Sequence, residues 1–124
     1  MSDEKCYCCS EKLFSDCCEP FILRKQFAPT AEALMRSRYS AYATHHADYL
    51  VETTAAATRK LHKKSDILNW AKSNQWVKLE IINSSENIIE FKAHYIDNQF
   101  KAHIHHERSK FIRADNHWFY SDFE

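Results

Sequence analysis

Residues 76–95 read WVKLEIINSSENIIEFKAHY, and this stretch decides the fold. Val77, Leu79 and Ile81 alternate with Lys78 and Glu80, then Ile89, Phe91, Ala93 and Tyr95 alternate with Glu90, Lys92 and His94. A strand with one buried and one wet face produces that period of two, because successive side chains point to opposite faces. Asn83-Ser84-Ser85 separates the two runs. The chain contains no glycine, so turn positions that need a positive φ fall to residues such as Asn and Asp. Asp97-Asn98 and Asp115-Asn116 repeat the signal and bound two further strands, at about 100–113 and about 117–123. The expectation is a four-stranded antiparallel meander.

Upstream of residue 76 the pattern is helical. Leu34, Met35, Tyr39 and Tyr42 recur at helical spacing through 31–43, with Thr30 as N-cap and Glu32 favouring the helix dipole. A second helix is expected over about 46–54, anchored by Tyr49 and Leu50. A third is expected over about 65–74, where Ser65 can cap and Ile67, Leu68 and Ala71 form the apolar side. Helices followed by strands argue for an α+β domain with the helices on one sheet face. Pro20 to Pro29 reads as a connector.

The composition bounds the function. Of 124 residues, 44% are hydrophobic, enough for a real core, so disorder is excluded. Seventeen basic residues balance seventeen acidic ones, and direct nucleic-acid binding through phosphates is therefore not supported by net charge. Without glycine there is no Rossmann fingerprint and no P-loop. No apolar run approaches the roughly 20 residues of a membrane span, and residues 1–5 lack a signal-like stretch, so a cytoplasmic protein is expected.

All five cysteines lie between residues 6 and 18. Cys6 and Cys8 form one pair and Cys17 and Cys18 another, with an intervening loop long enough to fold back and bring four sulfurs to the corners of a tetrahedron. Zinc accepts such a thiolate set. Lys5 and Lys12 stand beside the ligands to offset their charge. A disulfide framework fits an odd cysteine count and a chain able to build its own core poorly. A redox or catalytic thiol lacks an obvious helix start beside it to lower its pKa. Cys9 is left over, as a spectator, a spare ligand or a free thiol.

Residues 6–18, CYCCSEKLFSDCC, resemble the SEC-C motif, the zinc knuckle also found at the end of the bacterial preprotein translocase motor. Cys6, Cys8, Ser10, Lys12, Phe14, Cys17 and Cys18 fall in register on its pattern, and the resemblance assigns Cys6, Cys8, Cys17 and Cys18 as the ligands. Cys9 and Glu11 stand where that motif has glycines, so strain of about 1 kcal/mol or more is expected at each if the backbone there takes a positive φ. The body resembles the YchJ-like proteins: the carriers are MRSRYSAYA at 35–43, Asp48-Tyr49-Leu50, HERSKF at 106–111 and Trp118-Phe119-Tyr120. The resemblance implies a SEC-C knuckle at 1–20, a connector at 21–29 and an NTF2-like domain at 30–124, a curved antiparallel sheet wrapped around helices to leave a conical cavity. It brings a fold and no reaction.

His103, His105 and Glu107 would share one face of a regular strand near a probable sheet edge, with His106 opposite; three side chains in a row converge poorly on a metal. Arg38 lies close to the apolar face of the first helix and needs a partner, from Glu107, Asp122 or an anionic ligand. Arg38, Tyr39, Trp76, Tyr95 and Glu107 are the expected lining of any pocket. Trp70, Trp76 and Trp118 read most simply as packing residues. No hydrolase, protease or nucleotidyl-transfer motif is present. The favoured expectation is a zinc-binding adaptor whose knuckle contacts a protein or ribonucleoprotein partner, since small knuckles hold too little core for a substrate cleft. The alternative is an enzyme or small-molecule binder using the cavity.

Overall fold

The structure, a computed structural model, describes residues 4–123. A short 3-10 turn at Phe14–Asp16 leads into five helices: α1 Glu19–Ile22, α2 Ala31–Thr44, α3 Ala47–Glu52, α4 Ala56–Arg59 and α5 Lys64–Ser73. Four strands follow, β1 Gln75–Ser84, β2 Ile88–Ile96, β3 Ala102–Ala114 and β4 His117–Phe123, paired antiparallel in sequence order. Among the described residues no helix is long and apolar enough to cross a membrane.

Helix α2 is the axis of the molecule. Thr30 Oγ1 accepts the Ala33 N–H at 3.0 Å, which satisfies one of the donors a helix start leaves open. At the other end His45 takes the left-handed conformation, φ 66°, that glycine usually fills. Ala31, Leu34, Met35, Ser37, Arg38, Tyr39, Ser40 and Ala41 are all buried, more than one helical stripe. The sheet covers one side of α2, while α3 and the cysteine segment cover the others. Tyr49 and Leu50 of α3 are buried as expected.

The sheet differs from strict alternation at one instructive place. Trp76 pairs with Tyr95 and Lys78 with His94, so Val77 is an extra residue in a bulge. The bulge sends Val77 out to solvent and leaves Leu79 on the buried face. Further irregularities lie between Ile81 and Asn83 and between Lys110 and Phe111. Such insertions bend strands and raise twist, which curves the sheet around α2.

Helix α5 starts one residue earlier than its sequence pattern suggests. Lys63 is the N-cap, and Ser65 falls inside the first turn without capping. The one-turn helix α4 has no apolar periodicity and was not legible in advance. Helix α1, Glu19–Ile22, runs into the stretch read as connector, with Ile22 buried. Strand β3 lies between β2 and β4, but β4 pairs with it only from Ser109 to Ala114, so His103–Glu107 border β2 on one side and lie along an edge on the other, as expected.

Contacts from the rest of the chain meet both outer strands. Ala55 N–H donates to Tyr120 O at 2.7 Å and Tyr120 N–H to Thr53 O at 2.8 Å, closing the β4 side. On β1, the Leu79 N–H donates to Cys9 Sγ at 3.4 Å. Covering an edge in this way removes an open template for pairing with another chain.

Candidate functional site

The cysteine segment folds back through backbone pairing. Cys6 N–H donates to Lys12 O at 2.8 Å and Phe14 N–H to Glu4 O at 2.8 Å, which sets Lys5 beside Leu13. The turn between them places Cys9 at φ 66° and Glu11 at φ 72°. The next turns bring Cys17 and Cys18 alongside Cys6 and Cys8, so that the four sulfurs all lie within 4.8 Å of one another. Cys8 and Cys17 Sγ are 3.6 Å apart and Cys17 and Cys18 Sγ 3.9 Å. A tetrahedral zinc with metal–sulfur bonds of about 2.3 Å sets its ligand sulfurs about 3.8 Å apart, so the residues present fit such an ion. All five cysteines are free thiols.

The thiols already interact strongly. Hydrogen bonds from Cys18 and Cys6 hold the Cys8 thiol far below the usual range, against the opposing effect of burial. Burial pushes Cys17 up to about 11, and hydrogen bonding to Cys6 and Cys8 pushes Cys18 up as well. A divalent cation binds thiols as thiolates, so its binding here would release protons.

The surroundings differ from the sequence expectation. Lys5 reaches Glu11 at 3.5 Å on the surface. The cation fastened to the knuckle is Arg36, whose Nη1 donates to Cys8 O at 2.8 Å while its Nε holds Glu32 at 3.0 Å. Ser10 Oγ lies 3.1 Å from Cys17 Sγ, and Ser40 Oγ lies 3.5 Å from Cys6 Sγ. Arg36 and Ser40 are one helical turn apart on α2, and that spacing is the only sequence signal for their shared role. Cys9 stays outside the set of four, with its sulfur on β1. Cys8 is 0% exposed, and Cys6, Cys8 and Cys18 belong to the same apolar cluster as Leu34, Tyr39 and Leu79.

On another side of α2 lies a cavity of about 290 Å³. Arg38, Tyr39, Trp76 and Glu107 line it. Tyr95 does not: its ring packs on Trp70, Trp76 and His103, because the strand carries it past the cavity. Residues not singled out beforehand complete the wall, chiefly Tyr42, Trp70, Phe91, Ser109 and Tyr120. Trp70 and Trp76 meet edge to face at 5.0 Å. Trp118 is elsewhere, donating its Nε1–H to Pro29 O at 3.2 Å.

The polar groups of the cavity form a chain. Glu107 Oε1 accepts from His105 Nε2 at 2.8 Å, and Oε2 accepts from Ser109 Oγ and from Tyr120 Oη at 3.1 Å. Burial pushes this carboxyl up, but the three donors outweigh it and hold Glu107 below the usual carboxylate range. The bond to Glu107 in turn raises His105. Arg38 Nη1 donates to Leu50 O at 2.9 Å, Thr53 Oγ1 at 2.7 Å and Thr54 Oγ1 at 3.4 Å. Its guanidinium carbon sits 4.8 Å from the Tyr120 ring centroid. Neither Glu107 nor Asp122 is its ion-pair partner, which corrects the structural pairing considered from sequence. His103 pairs with Asp97 at 2.7 Å and His106 with Glu90 at 2.7 Å, so the strand histidines disperse to separate carboxylates.

Comparison with known proteins agrees with this architecture. Residues 30–123 match the family described as YchJ, middle NTF2-like domain. The UPF0225 protein of Photorhabdus laumondii is 40% identical over 96% of this chain and 79% of its own length. A UPF0225 protein of Haemophilus influenzae (strain 86-028NP) is 38% identical over 98% of the chain and 78% of its own length. The solution structure of a SEC-C motif containing protein from Rhodopseudomonas palustris superposes with a TM-score of 0.90 at 38% identity, covering 96% of both chains. A crystal structure of a SEC-C motif containing protein from Psychrobacter arcticus gives 0.81 at 31% identity, over 98% of this chain and 82% of that one. With its cysteine cluster ahead of a curved sheet and its match across the whole NTF2-like domain, the chain belongs to the YchJ-like family of SEC-C motif proteins.

Proposed function

We propose that this is a zinc-stabilised small-molecule-binding protein. Zinc at Cys6, Cys8, Cys17 and Cys18 fastens the N-terminal segment to α2, and the cavity beside α2 holds an organic ligand. The observation that carries the reading is a largely aromatic cavity lined by a buried arginine, Arg38, and a half-buried carboxylate, Glu107. Small-molecule sites combine apolar walls with a few placed polar groups, and about 290 Å³ lies at the lower end of their size range. Four thiolates select a soft or borderline ion, and zinc is the common one. Four reduced thiols also suit the cytoplasm.

Benzene tests the cavity. Titrated into the full chain, it is expected to shift the Met35 and Ala93 methyl signals saturably in NMR spectra, and Ala93→Leu, which fills the space, is expected to abolish the effect. Methyl signals unmoved in the unsubstituted protein would contradict the reading.

The adaptor reading keeps one specific support. Tyr7 and Leu13 on the knuckle are 38% and 41% exposed, an apolar pair available to a protein or ribonucleoprotein partner. It ranks second because most of the knuckle is spent on the body: three of its cysteines are buried there, and Arg36 and Leu79 hold its backbone and its spare thiol. Tyr7→Ser with Leu13→Ser in the full chain should abolish capture of such a partner and leave zinc content unchanged; capture that survives both changes counts against it.

A further inference from the structure

Among the described residues Arg38 is the one buried charged side chain. It is 8% exposed, it lines the cavity, and all three of its hydrogen bonds leave from Nη1. Its acceptors are neutral oxygens. Among the described residues, Nε and Nη2 have no acceptor and no carboxylate pairs with the guanidinium. Burying a cation without a counter-charge is expensive, and desolvation accordingly lowers the Arg38 pKa.

Glu107, the nearest candidate by sequence, is already engaged. One oxygen takes the His105 ring N–H, the other takes two hydroxyls, and His105 meets its charge directly. The edge that Arg38 leaves open, Nε with Nη2, is the edge that binds a carboxylate through two parallel hydrogen bonds. The rest of the wall is largely aromatic, with Met35, Ile67 and Ala93 among its aliphatic residues. Trp70 is 43% exposed and Trp76 is half-buried beneath it, and their rings and Tyr42 offer faces and edges to a flat apolar group. An aromatic box also attracts cations, but here Arg38 repels them and Glu107 has little capacity left to receive one.

We infer that the cavity takes a small planar aromatic carboxylate, its ring against Trp70 and Trp76 and its carboxylate on the Nε–Nη2 edge of Arg38. The inference rests on the cavity being a binding site, as proposed above, and adds the chemical class of the occupant.

Benzoate, benzamide and benzylamine separate the possibilities, since they share a ring and differ in charge. Each is titrated into the zinc-loaded full chain, and the indole N–H signals of Trp70, Trp76 and Trp118 are followed by NMR. Benzoate should shift the Trp70 and Trp76 signals, leave Trp118 in place, and bind at least about tenfold more tightly than benzamide. Arg38→Lys, which keeps the charge and loses the two-pronged edge, should weaken benzoate by about tenfold and leave benzamide unchanged. The comparison of ligands on the unsubstituted protein stands even if that variant fails to fold. Benzamide binding as tightly as benzoate, or benzylamine more tightly, overturns the carboxylate assignment while benzene entry still supports the cavity. No shift at Trp70 and Trp76 with any of these three ligands or with benzene overturns both.

Discussion

Glu11→Gly should make the protein more stable, although it deletes a side chain and an ion pair. Glu11 sits at φ 72°, where a side chain's Cβ crowds the backbone at a cost of roughly 1–2 kcal/mol. Glycine removes that cost but loosens the unfolded chain, which returns about 0.4–1 kcal/mol. The Lys5–Glu11 pair is exposed on both sides and 3.5 Å long, so its loss matters little. The net gain is about 0.5–1 kcal/mol, a rise in Tm of about 2–4 °C for a domain of this size. Cys9→Gly is the paired experiment. It relieves the same strain at φ 66°, but it strips the sulfur that accepts the N–H of Leu79, the buried residue of β1. Leaving that donor unmet costs about 1 kcal/mol or more, so its net effect should be zero or negative. Thermal unfolding of both variants with metal bound reads the difference directly. A Tm that falls or stays fixed in Glu11→Gly would refute the strain argument, and equal gains in both variants would refute a role for the Cys9–Leu79 bond.

Other outcomes follow from the packing and electrostatics. Thr30→Ala should cost about 1 kcal/mol in denaturant unfolding and Thr30→Ser should restore most of it, because only the hydroxyl cap on Ala33 is at stake. Phe111→Ala should cost about 3–5 kcal/mol, since that ring is 1% exposed and packs edge-on against Tyr120 at 5.8 Å. The raised His105 pKa means that its contribution to stability is full below about pH 6.5 and is lost as pH climbs through the folded value. The depressed Glu107 pKa has the opposite sign: its contribution is present above about pH 4.3 and is lost on acidification. The pair should therefore stabilise most between those limits. An NMR titration of the His105 ring should give a midpoint above about 6.5 that falls in Glu107→Gln, and a midpoint at or below that value would count against the pair.

What the sequence revealed followed from local rules, and what it concealed depended on docking. Alternation at residues 76–95 specified strands because one face had to be buried, but the extra residue at Val77 left no trace in composition and moved Trp76 onto the cavity side. The SEC-C resemblance put Cys9 and Glu11 where that motif has glycines, and both do take positive φ. In the cysteine stretch, the four residues that the SEC-C resemblance assigns are those whose sulfurs lie within 4.8 Å of one another. Arg36 and Ser40 could not be paired with that stretch beforehand, since the contact exists only once α2 lies across it. Arg38 was expected to find a carboxylate; it found instead the Leu50 carbonyl and two threonine hydroxyls, and backbone acceptors at the end of a short helix carry no side-chain pattern. The continuity of the buried cysteines with the core also alters how the knuckle should be probed. Removing residues 1–20 would uncover α2, so changes within the full chain are the more informative experiments.

The central claim is a single metal ion held by Cys6, Cys8, Cys17 and Cys18, and native mass spectrometry of the purified full chain tests it most directly. The expected result is one zinc per chain, absent when Cys17 and Cys18 are both replaced by serine. A chain without metal whose residues 4–18 keep their fold in the NMR spectrum would contradict the account.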